Sequence, residues 1–99
     1  MKIILDDIRK FPENGPYNCV RTYEDCAFLL RNFHTISFIS FDFNLGGEKT
    51  GLDAMKYMHE MGCEVKHINI HSDNIIGIPL LRDFAKEHFP NAVLTFNAL

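Results

Sequence analysis

The chain has 99 residues, room for one domain and one site. A composition of 46% hydrophobic and 23% charged residues excludes a disordered, fibrous or membrane-embedded protein. The net charge of −3 argues against a broad nucleic-acid surface, and Cys19, Cys26 and Cys63, an odd set without CxxC spacing, read as reduced cytosolic thiols.

The opening run, Met1 to Leu5, is too short for a signal peptide or a membrane span, so a cytoplasmic protein is expected. Lys2 to Leu5 predicts a buried strand that stops at two carboxylates, Asp6 and Asp7. Arg9 to Cys19 carries Pro12, Asn14, Gly15 and Pro16 and predicts a loop. Val20 to Thr22 predicts a second, very short strand. Thr22 can cap a helix from Tyr23, with Asp25 at its third position and Cys26, Leu29, Leu30 and Phe33 on one face.

Ile36 to Phe41, apolar or small throughout, predicts a third strand and ends in Asp42. Gly46 and Gly47 mark a loop. Thr50 and Asp53 repeat the capping pattern for a helix to Met61, stopped by Gly62, with Leu52, Met55 and Met58 as its apolar stripe. Val65 to His71 predicts a fourth strand, Ile68 and Ile70 facing one way and His67, Asn69 and His71 the other. Pro79 suits the first turn of a helix carrying Leu80, Leu81, Phe84 and Ala85. Ala92 to Phe96 predicts a fifth strand.

Strands alternating with helices predict an α/β domain over residues 1–99: a five-stranded parallel sheet in the flavodoxin-like order 2-1-3-4-5 with helices on both faces. The first crossover is replaced by the Pro/Gly loop. That order sets strands one and three side by side, so Asp6, Asp7 and Asp42 meet at the sheet's carboxyl edge. Three ionised carboxylates that close repel one another and call for a proton or a cation. Oxygen ligands favour a hard cation, Mg²⁺ foremost, and such an ion can neutralise a phosphate. Taken one at a time, these aspartates also suit Asx turns at strand ends.

With these residues in place, the chain resembles the receiver superfamily, and more closely the cyclic-phosphate-processing receiver group. The stretches that carry the resemblance are Leu5-Asp6-Asp7-Ile8-Arg9, Val20-Arg21-Thr22-Tyr23-Glu24, Ser40-Phe41-Asp42, Leu45-Gly46, Thr50-Gly51-Leu52-Asp53, and His71-Ser72-Asp73-Asn74 with Gly77. The resemblance implies an acidic pair at Asp6 and Asp7, the phosphoacceptor position at Asp42 and the hydroxyl position at Ser72. Two departures stand out. Receivers carry a lysine after strand five, and Ala92 to Asn97 has none. The group's pattern after strand three reads Asp-His-Asp-Leu-Gly, where this chain reads Asp42-Phe43-Asn44-Leu45-Gly46.

The expected function is binding of a phosphate-containing small molecule or nucleotide end with Mg²⁺, extended to weak phosphoesterase turnover on a cyclic phosphate or phosphoester. Asp6, Asp7 and Asp42 would hold the metal. Arg9, Arg21 and Asn74 would steady the phosphate, and Asp42, His71 and Ser72 would serve the chemistry, His71 as acid or base. Phe43 is expected to be exposed in the site loop. Two other readings fit the same residues: a catalytically inactive module that binds a protein partner, and a receiver phosphorylated on Asp42.

Overall fold

The computed structural model describes residues 1–8 and 15–98. Arg9, and the heart of the predicted Pro/Gly loop, lie outside the described residues. The chain runs β1 (Lys2–Leu5), β2 (Asn18–Val20), α1 (Tyr23–Asn32), β3 (Thr35–Ile36), β4 (Phe38–Phe41), α2 (Gly51–Glu60), β5 (Glu64–Val65), β6 (His67–Ile70), α3 (Gly77–His88) and β7 (Val93–Phe96).

Five strands form a parallel sheet in the order β2-β1-β4-β6-β7, while β3 and β5 pair separately as a two-stranded ribbon. The order thus differs in detail from the expected 2-1-3-4-5. The predicted third and fourth strands each bend, at Ser37 and Lys66, and their first residues leave the main sheet to pair with each other. The second strand begins earlier than expected, at Asn18, and stops short of Thr22, which is the α1 cap, its hydroxyl accepting from the Asp25 N–H at 3.1 Å.

Register sets the faces. Ile3, Ile39 and Ile68 are aligned across β1, β4 and β6, as are Leu5, Phe41 and Ile70. All six are buried in one core with Cys26 and Leu30 of α1, Ala54, Met55 and Met58 of α2, and Leu81 and Ala85 of α3. Burying one such aliphatic side chain is worth about 1.5–3 kcal/mol, so this face holds most of the stabilising area. Phe33 and Leu80, expected on buried helical faces, are exposed instead: Phe33 caps the C-terminus of α1, and Leu80 points away from the Leu81–Ala85 stripe.

The three helices therefore share one face, against the expectation of helices on both. The cause is topological. From β2 onward every crossover advances in the same direction along the sheet, and right-handed connections then place each helix on the same side. Only the β1 to β2 step runs the other way, and the described ends of that connection form no helix. On the second face, Ile4, Ser40, Asn69 and Thr95 lie in one cross-strand row. Among the described residues, no helix is long and apolar enough to cross a membrane. Cys19, Cys26 and Cys63 are free thiols, the last two buried, and burial pushes the Cys26 thiol up to about 12.

Candidate functional site

The register that aligns Leu5, Phe41 and Ile70 also aligns the residues that follow them. The Asp42 N–H donates to the Leu5 carbonyl at 3.0 Å and the His71 N–H to the Phe41 carbonyl at 3.0 Å, extending the ladder one step past the strands. Side chains alternate faces along a strand, so Asp6, Asp42 and His71 emerge together on the helix-free side. Ligand atoms of these three residues lie within 4.8 Å of one another.

Asp6 is buried and heavily engaged. Its Oδ1 accepts from the Ile8 N–H at 3.0 Å, and its Oδ2 receives His71 Nε2 at 3.0 Å. Asp42 is half-buried, with Oδ1 accepting from the Phe43 N–H at 2.7 Å. Burial pushes the Asp42 carboxyl above its ordinary value, and the Asp6 charge adds to the rise. Hydrogen bonds from the Phe43 N–H and Ser72, together with the nearby His71, pull the other way. Such a carboxylate gains from a proton or a cation beside it. Ser72, two residues past the end of β6, is buried and accepts from the Asn74 N–H at 3.1 Å.

Not all the expected residues converge in the same way. Asp7 is outside the close trio and turns toward the loop after β4, its Oδ2 lying 3.2 Å from where a Cβ on Gly46 would stand. Arg21 Nη1 donates to the Asp6 main-chain carbonyl at 3.0 Å, which ties β2 to the site-bearing end of β1. Asn74 serves the start of α3: its Oδ1 accepts from the Ile76 and Gly77 N–H groups, both at 2.9 Å, while its Nδ2 reaches Asn44 at 3.4 Å. His71 meets Asp6 through one ring nitrogen and Ser40 through the other, and its ring is buried.

Two glycines let the site loops close. A Cβ on Gly51 would fall 1.8 Å from the Asp42 carbonyl oxygen, and one on Gly77 would fall 2.3 Å from Cγ of Phe43. Phe43 is thus no exposed loop residue; it is half-buried, packed on Gly77 and against the core. Thr50 and Asp53 form the predicted capping box, so the loop after β4 is pinned at its far end. Beside it a cleft of about 400 Å³ lies between Thr22, Tyr23 and Glu24 at the start of α1 and Leu45–Lys49. Lys49 stands with its Nζ 5.3 Å above the Tyr23 ring.

Sequence reasoning missed Ser40 and Asn69, both fully buried and both bonded into the site. The available signal was polarity at alternate positions of otherwise apolar strands.

A parallel sheet with an acidic carboxyl edge, a hydroxyl after the next strand and capped loops around it defines a receiver-like domain. The chain belongs to the cyclic-phosphate processing receiver domain family, whose match covers residues 1–86. No match was found among curated proteins or among solved structures.

Proposed function

We propose that this domain binds a phosphate-bearing ligand together with a divalent cation at the edge formed by Asp6 and Asp42, and that it hydrolyses cyclic phosphates or phosphoesters slowly. The observation that carries the reading is the convergence of two carboxylates from neighbouring strands, one of them raised by burial and by the other's charge. His71 Nε2 faces Asp6, so the donors left for an ion are oxygens, which fits Mg²⁺ better than a softer metal. Asp6 and Asp42 would hold it, with Asp7 the next carboxylate on the same loop. The cation would supply charge neutralisation for a bound phosphate. The neighbouring cleft has the size of a small-ligand pocket and offers Lys49 and Tyr23 to the rest of the molecule.

Weak turnover follows from Phe43 and Asn44. The first is packed on Gly77 and brings no proton, and the second brings no charge. Signalling through Asp42 has less support, because residues 92–97 hold no lysine to clamp a phosphoryl group.

The test is calorimetric titration of Mg²⁺ and then of inorganic phosphate, alongside hydrolysis of a nucleoside 2′,3′-cyclic phosphate. Saturable Mg²⁺ binding that weakens in Asp42→Asn, with slow hydrolysis, is the expected result. Brisk hydrolysis lost in His71→Ala would make His71 a catalytic residue. Neither binding nor hydrolysis would favour a protein-interaction module.

A further inference from the structure

On the helix-free face a continuous line of hydrogen bonds crosses the sheet and ends on Asp6. His67 Nε2 meets Thr95 Oγ1 at 2.7 Å, Thr95 Oγ1 meets Asn69 Oδ1 at 2.7 Å, and Asn69 Nδ2 meets Ser40 Oγ at 2.9 Å. Ser40 Oγ then bonds His71 Nδ1, and His71 Nε2 bonds Asp6 Oδ2. Ser40, Asn69 and His71 are no more than 1% exposed. A sheet centre built for stability alone would place aliphatic side chains here, since buried polar groups are costly unless every one is satisfied. Among the described residues, none of the buried side-chain polar atoms lacks a partner.

The orientation of the Asn69 amide, and with it the bonds on either side, is decided by one group that can only donate. The Ala98 main-chain N–H donates to Asn69 Oδ1 at 3.1 Å. The Asn69 carbonyl oxygen is thereby fixed toward β7, and its amide nitrogen must face Ser40. Ser40 accepts from that nitrogen, which leaves its single hydroxyl proton available for His71 Nδ1. With Nδ1 as acceptor, a neutral imidazole would carry its ring proton on Nε2 and donate it to Asp6. At the other end, Thr95 donates to Asn69 and so accepts from His67.

We propose that His71 is a positioning residue whose tautomer is set by the Ala98–Asn69–Ser40 relay, and that it holds the Asp6 carboxyl group oriented toward Asp42. This rests on the metal-binding reading above, and it deepens that reading by naming what keeps the first carboxylate in place. Partners that orient a ligating carboxylate are typically worth about 10–100-fold in metal affinity.

The experiment uses the full chain, labelled with ¹⁵N and free of metal, at neutral pH. Two-bond imidazole spectra should show His71 as the Nε2–H tautomer. Ser40→Ala should remove that preference and weaken Mg²⁺ binding by about 10–100-fold. His71→Gln, which keeps a donor near Asp6, should retain more affinity than His71→Leu. An Nδ1–H or doubly protonated His71 in the wild type would overturn the relay, whatever the variants do. Unchanged Mg²⁺ affinity in a folded Ser40→Ala would overturn the positioning role. Absence of Mg²⁺ binding by a wild type that shows the expected tautomer would defeat the metal reading instead.

Discussion

Replacing Gly51 by alanine probes how closely the fold and the site are joined. Gly51 opens α2 against the strand end that carries Asp42, and its N–H donates to the Phe43 carbonyl at 2.8 Å. On an unhindered helix the change would stabilise the protein by roughly 0.5–1 kcal/mol. Here the new methyl would lie 1.8 Å from the Asp42 carbonyl oxygen and 2.9 Å from its carbonyl carbon. Both are backbone atoms, so no side-chain rotation relieves the clash; the end of β4 and the start of α2 must separate. Overpacking of this kind costs about 1–3 kcal/mol, and so short a contact belongs at the upper end. The net loss should be near 2 kcal/mol, which lowers a urea midpoint by roughly 1 M. Displacing Asp42 from Asp6 should also weaken Mg²⁺ binding by about tenfold or more. The chain has no tryptophan, so far-UV circular dichroism is the signal to follow through the urea titration. Gly47→Ala is the control: nothing lies within 4 Å of its Cβ, and its effect should stay within about 0.5 kcal/mol. A Gly51→Ala protein that is more stable than wild type and binds Mg²⁺ normally would refute the reasoning.

Mg²⁺ should raise the melting temperature, with about 2.7 kcal/mol of added stability at a hundredfold excess over its dissociation constant; a melting curve indifferent to the ion into the tens of millimolar would count against the site. Asp42→Asn should stabilise the metal-free protein. A carboxyl raised in the folded state contributes stability that is present below its unfolded value and is lost as pH rises through the folded one. The advantage of the variant should therefore be full at neutral pH and fade on acidification, and thermal melts of both proteins across that range decide it. The double variant Phe43→His, Asn44→Asp should gain cyclic-phosphate hydrolysis, by about 10²–10⁴-fold if general acid–base help is what the wild type lacks. It should also lose about 1–3 kcal/mol of stability, because Phe43 no longer fills the space against Gly77. No gain in hydrolysis from a folded variant would count against a missing acid–base group.

The sequence alone was enough for the helix starts, the central strands and the family. Thr22 with Asp25 and Thr50 with Asp53 marked helix starts that the structure caps through those side chains. Apolar runs ending in Asp6 and Asp42 marked strands with polar carboxyl edges, and the motif stretches carried the family. Only the tertiary structure decided which of the acidic residues meet. Register across β1, β4 and β6 brings Asp6, Asp42 and His71 together and turns Asp7 toward Gly46, and register is a property of paired strands rather than of any one of them. It decided likewise that the helices share a face, because handed crossovers act on strand order. Ser40 and Asn69 looked like small or polar interruptions of strands until the row across the sheet joined them to His71. Gly77 and Phe43 stand far apart in the chain, and the need for one explains the burial of the other only when β4 and α3 are packed together.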